Sequence, residues 1–172
     1  MYTVKENEKT TPAMFYTRDA LFHGEVVTTK IIRVNIWLRS DSAPKYAQLL
    51  NAQMISLSGN GYTGKFDEIF VPIDQVVAYH AAPDVEIELD YIENEPNRRM
   101  APLKVIGPSF LTFTGETRIS TQTEFSSTLE VGRSSWLSLY DSTISTPNMP
   151  KMRVQAPMLL LRPEAFSFIL MD

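Results

Sequence analysis

Phe22-His23-Gly24-Glu25 returns 91 positions later as Phe113-Thr114-Gly115-Glu116. Two further blocks follow in the same order. Tyr46-Ala47-Gln48-Leu49-Leu50-Asn51-Ala52-Gln53-Met54 is matched by Trp136-Leu137-Ser138-Leu139-Tyr140-Asp141-Ser142-Thr143-Ile144 at an offset of 90. Phe70-Val71-Pro72-Ile73, with Val76-Val77-Ala78-Tyr79 behind it, is echoed by Leu159-Leu160-Leu161-Arg162 and Ala165-Phe166-Ser167-Phe168 at an offset of 89. Alternating apolar residues supply one such block by chance. Three collinear blocks, drifting by one residue at a time, mark an internal repeat with small length changes in its loops.

The repeated segments read as β-structure. Period-2 stretches rich in β-branched and aromatic residues run over 26–38, 69–79, 85–91, 110–119 and 165–170. Sustained spacing at i, i+3, i+4 and i+7 is missing, and eleven prolines interrupt the candidates. Turn residues separate the strands at 40–44, 59–61 and 146–150. A single helical turn is expected at 43–48. The expected unit has a strand carrying Gly24 or Gly115, a second strand, a third ending in Ala52 or Ser142, and a closing pair. A strand glycine marks a bend or a close backbone approach, which a small curled sheet needs.

Five short strands in about 65 residues match the size of an SH3-like or Sm-like barrel, which removes most exposed edges by closing on itself. The expected fold is therefore all-β: two tandem small SH3/Sm-like β-barrel-type units joined by an acidic segment. The expected boundaries are an N-terminal tail at 1–14, a first unit at 15–83, an acidic strand or linker at 84–105 and a second unit at 106–172. Gly24-x-Val26 followed by Asn35-Ile36-Trp37-Leu38 resembles the first motif of Sm-like proteins, a strand glycine with a hydrophobic-Asn-hydrophobic end about ten residues on. The layout is also similar to bacterial proteins built from tandem small barrels. The chain departs from the Sm-like pattern where that family has an aspartate between glycine and asparagine, and it has no hydrophobic-hydrophobic-Arg-Gly motif. The resemblance therefore implies architecture, and the family's RNA-binding residues are not carried over.

Composition narrows the function classes. The chain has 172 residues, a formal net charge of −4 and no cysteine. Without cysteine, disulfide frameworks and thiolate metal clusters are excluded. Net negative charge argues against nucleic acid, whose non-specific binding rests on phosphate neutralisation. The opening MYTVKENEKTTPAMF has no apolar core of a signal peptide, and no apolar run reaches spanning length, so a cytoplasmic protein without membrane insertion is expected.

No stretch carries a defensible catalytic or metal constellation, and no cofactor is expected. His23 and His80 fall on the first and last strands of unit one, where unit two offers Thr114 and Ile169, so ordinary strand histidines are the reading. The acids from Asp84 to Glu95 alternate along a presumed strand and suit a solvated face better than a calcium loop. Ser58-Gly59-Asn60-Gly61-Tyr62-Thr63-Gly64-Lys65-Phe66 lacks the hydroxyl residue and the helix of a phosphate loop and reads as a glycine-rich hairpin loop.

The expected function is a non-enzymatic protein-interaction or self-assembly module whose partner is another protein or further copies of the chain. Tyr62, Phe66, Phe166 and Phe168 are the candidate contacts, with the apolar C-terminal strand as a pairing edge. The alternative is an Sm-like nucleic-acid or nucleotide-binding module using Arg33, Arg39, Lys45 and Lys65. An enzyme with a site between the units ranks third.

Overall fold

The computed structural model describes residues 2–41, 43–82, 85, 89–131 and 136–171. The first half of the chain supplies β1 (Glu8–Tyr16), β2 (Ala20–Thr29), α1 (Val34–Arg39), β3 (Tyr46–Ser56), β4 (Thr63–Pro72), a 3₁₀ turn (Ile73–Gln75) and β5 (Ala78–Ala81). The second half repeats the order with β6 (Arg98–Ile106), β7 (Thr112–Ser120), α2 (Phe125–Val131), β8 (Leu137–Ser145), β9 (Arg153–Leu161), a 3₁₀ turn (Pro163–Ala165) and β10 (Phe168–Met171). One extra 3₁₀ turn, Pro108–Phe110, stands between β6 and β7. The expectation of an all-β chain holds. The strands form one antiparallel 10-stranded sheet in the order β10-β6-β7-β8-β9-β5-β1-β2-β3-β4, open at both ends.

The ladders fix which residues correspond between the halves. Ala47 faces Val71 in β3–β4 and Leu137 faces Leu161 in β8–β9, so the third repeat block aligns at 90 positions rather than 89. Tyr16 faces Ala78 in β1–β5 and Ile106 faces Phe168 in β6–β10, which extends the offset of 90 to the last strands. His80 thus corresponds to Leu170, not Ile169. The run Leu159-Leu160-Leu161 explains the slip: identical neighbours carry no register.

Three placements differ from the sequence expectation. The first strand begins at Glu8, inside the stretch assigned to a tail, and β6 begins at Arg98, inside the stretch assigned to the linker. Both carry a proline, Pro12 opposite Glu25 and Pro102 opposite Glu116. Each proline sits one residue before pairing with the half's last strand begins, at Ala13 and Leu103, so its missing N–H falls at the end of that ladder. The helix falls at Val34–Arg39 rather than at 43–48, and Asn35 stands on it rather than at a strand end. Its buried side chains, Val34, Asn35 and Leu38, span one turn, too short to show periodicity. Of the expected acidic strand 85–91, Glu86, Ile87 and Glu88 lie outside the described residues.

Gly24 and Gly115 occupy matching bulges. The β2–β3 register shifts between His23 and Glu25, and the β7–β8 register between Thr114 and Glu116. Opposite them Asn51 (φ 50°) and Asp141 (φ 47°) take the left-handed conformation that these residue types tolerate best among non-glycines. The expected close approach is present at both: a Cβ on Gly24 would meet the Leu50 carbonyl oxygen at 3.1 Å and the Ala52 Cα at 3.2 Å. The bends wrap each half around its own apolar interior, one centred on Phe15, Leu49 and Tyr79, the other on Phe113, Leu139 and Leu159. The interiors share residues: Trp136 and Leu160 pack into the first, Tyr16, Leu57 and Ala78 into the second. No helix among the described residues is long and apolar enough to cross a membrane.

Candidate functional site

The halves meet where β5 pairs β9, with Ala78 opposite Leu161 and Tyr79 opposite Leu160. Side chains reinforce this seam at both ends. The Trp136 indole N–H donates to the Leu38 carbonyl at 2.9 Å, tying the start of β8 to α1, and the Arg162 guanidinium lies over the Trp136 ring. At the other end Asn148 Nδ2 donates to the Leu57 carbonyl at 3.0 Å, and Ser109 Oγ to the Arg18 carbonyl at 2.9 Å.

A polar cluster fastens the connecting segment across the seam. Asp90 accepts from Arg39 of α1, from Ser138 Oγ at 2.8 Å and from the Tyr140 hydroxyl at 2.5 Å. Its backbone is open to solvent while its side chain is only 14% exposed. Burial alone would raise the Asp90 carboxyl, but the Tyr140 hydrogen bond and the Arg39 charge together hold it below its ordinary value. Burial and the bond to Asp90 push the Tyr140 phenol up. Tyr91 stacks edge-on against Tyr140, and Arg118 covers the Tyr91 ring while pairing with Glu95 at 3.1 Å. The Asp90 carboxylate accepts from one cation and two hydroxyls here, the chemistry of a polar clasp. Asp90→Ala takes the acceptor from the Ser138 and Tyr140 hydroxyls and the counter-charge from Arg39, which keeps its bond to Ser138; it is expected to lower stability by about 2 kcal/mol, whereas Asp90→Asn keeps an acceptor and loses less. Urea unfolding midpoints of the two variants check this.

A cavity of about 600 Å³ lies along the seam, with Tyr79, Met158 and Leu160 on its apolar side and Lys9, Thr11, Arg33 and Asn35 on its polar side. Among the described residues its polar lining is two cations and two neutral groups, with no acid, histidine or serine. The two histidines flank β1, both opposite Met14. His80 is buried, with Nδ1–H donating to the Ala81 carbonyl at 2.7 Å and Nε2 accepting from the Tyr16 hydroxyl at 3.0 Å. No group of three or more His, Asp or Glu suited to a metal occurs among the described residues.

The candidate contact residues separate into two places. Tyr62, in the β3–β4 hairpin loop, and Phe66, on β4, are exposed at one end of the sheet. Phe168 is exposed on β10 at the other end. Phe166 turns against Phe113, ring centroids 5.9 Å apart, and is half-buried at the edge of the second core. Tyr46 and Phe70, both inside quoted repeat blocks, are more exposed than Phe66 and were not among the candidate contacts; no local pattern in the sequence marks them as uncovered. Phe66, Phe70, Phe22 and Met54 line a groove of about 390 Å³ beside β4. Of the four candidate cations, Arg33 lines the seam cavity and Arg39 holds Asp90, while Lys45 and Lys65 stand at opposite ends of the β3–β4 ladder.

Compared with known proteins, the chain matches no family model, no curated protein and no solved structure.

Proposed function

We propose that this chain is a non-enzymatic assembly module, acting in the cytoplasm, that associates with protein through the two open ends of its sheet and chiefly with copies of itself. It is read as two tandem small SH3/Sm-like units, each with its last strand folded back beside its first and a 3₁₀ turn before that last strand. The observation that carries the reading is the placement of exposed aromatics: Tyr46, Phe66 and Phe70 beside the open strand β4, and Phe168 on the open strand β10. Soluble proteins blunt open edges with charge or proline, and exposed apolar residues collected at one mark a pairing surface. Both devices are present on β4, as Lys65, Asp67 and Pro72, yet its Phe70 end stays apolar. The Asp90 cluster supports the same reading, since its carboxylate is spent on Arg39, Ser138 and Tyr140.

Removing residues 168–172 takes away β10 and leaves Phe166 packed against Phe113. Light scattering on size-exclusion fractions is expected to give a defined multiple of 19.5 kDa for the full chain and the single-chain mass after truncation. An unchanged mass after truncation, or a single-chain mass from the outset, overturns the reading. The nucleic-acid alternative has less support, because its four cations do not share one surface.

A further inference from the structure

The seam inside the chain is a pairing of the last strand of one half, β5, with the fourth strand of the other, β9. The same two kinds of strand are left open at the ends of the sheet, β10 as the last strand of the second half and β4 as the fourth strand of the first. We propose that β10 of one copy pairs antiparallel with β4 of the next, repeating the internal seam between chains. This rests on the assembly reading above and specifies its partner and register.

The correspondence established by the ladders gives the pairing residue by residue. Ala78 and Tyr79 correspond to Phe168 and Ile169, and Leu161 and Leu160 to Val71 and Phe70. Phe168 therefore faces Val71 of the next copy, and Ile169 faces Phe70. Exposure follows the same map. Leu160 is 0% exposed within the seam and its counterpart Phe70 is 59% exposed; Trp136 is 5% exposed and its counterpart Tyr46 is 55% exposed. Trp136 bonds the backbone of Leu38, itself 4% exposed, on α1, and α2, the helix in the same place of the second half, leaves Leu129 37% exposed. Side chains buried by the seam have apolar counterparts left uncovered at the ends, on both sides of the joint. That is the complementarity a head-to-tail contact requires.

One feature is not repeated. Arg162 donates its backbone N–H to the Val77 carbonyl at 2.9 Å, and Pro72, in the equivalent place, has none to give. The joint between chains is accordingly weaker than the seam and exchanges between copies. Its two surfaces differ, so association closes a ring or extends a filament.

Because the chain has no cysteine, two variants report the register directly. Phe70→Cys protein and Ile169→Cys protein are mixed, allowed to exchange and oxidised; directly opposed strand residues lie within disulfide reach. The expected result is a linked pair whose bridging peptide joins positions 70 and 169, formed in the mixture and largely absent from either variant alone. Lys65→Cys mixed with Ile169→Cys, five residues off register, is expected to give at least tenfold less. Phe70→Arg, a change at an exposed site, is expected to keep the fold by circular dichroism and reduce the mass to one chain; this holds the test open should Ile169→Cys fold poorly. An oligomer that survives Phe70→Arg, or that bridges equally at 65, overturns the joint and leaves assembly standing. A single-chain mass for the unmodified protein at every concentration overturns both.

Discussion

Gly115→Ala is expected to lower stability by about 3 kcal/mol, the upper part of the range for overpacking a close-packed site, and the melting temperature by roughly 10 °C. A Cβ at this position would lie 2.5 Å from the Tyr140 carbonyl oxygen, 3.0 Å from Leu139 Cγ and 3.1 Å from Ser142 Cα. The nearest atom is backbone, held in the β8–β9 ladder on either side of Asp141, so it does not swing aside as a side-chain terminus would. Relief requires the bulge itself to move, and the bulge bends the second half around Phe113. The corresponding Gly24→Ala meets its nearest atom at 3.1 Å and is expected to cost only about 1 kcal/mol. Chemical denaturation of both variants beside the parent chain decides the matter. Equal losses would mean that the closer approach at Gly115 relaxes freely.

Acid is expected to remove about 3 kcal/mol of stability through His80 alone. Burial, reinforced by the nearby charge of His23, brings its pKa down to about 4 in the fold, from an ordinary value near 6.5, although the bond to the Ala81 carbonyl acts the other way. The folded pKa lies below the unfolded one, so the unfolded chain takes up the proton first. The contribution is complete above pH 6.5, declines as pH falls and is lost by about pH 4; each unit of displacement is worth about 1.4 kcal/mol. The neutral ring suits its site because the Ala81 carbonyl takes the Nδ1–H and leaves Nε2 to accept from Tyr16. His80→Gln keeps a donor and an acceptor and cannot titrate. Its unfolding free energy, followed from pH 7.5 to pH 4, should fall less than the parent's by the stated amount. Parallel curves would remove His80 from the account. Because His80 stands on β5, the seam strand, the loss falls on the contact between the halves.

Much of this architecture was legible in the residues. Gly24 and Gly115 announced the bulges because a glycine amid β-branched and aromatic neighbours has few other uses, and the small residues that face them, Ala52 and Ser142, stood in the matched block. The outer strands were less visible. Glu8-Lys9-Thr10-Thr11-Pro12 and Arg98-Arg99-Met100-Ala101-Pro102 are polar at their exposed ends, and a proline within a run ordinarily speaks against a strand. The helix hid for a different reason: six residues show one turn of spacing, indistinguishable from irregular strand. The exposed aromatics were half legible. Tyr62, Phe66 and Phe168 were picked out as apolar residues near turns or the terminus, but Phe166 resembled them equally and is half-buried against Phe113. Which apolar side chains find cover within the chain depends on the β5–β9 seam, a pairing set by strand order and not by local pattern.

The connection from Ala81 to Arg98 gives that seam a further property. A tether of this length keeps β5 and β9 at an effective concentration on the order of millimolar, whatever the amount of protein in solution. The halves therefore stay mated on dilution, while any equivalent strand pairing between separate chains obeys mass action. Joining the two halves end to end makes the contact between them independent of abundance, where the same contact between separate chains would rise and fall with it.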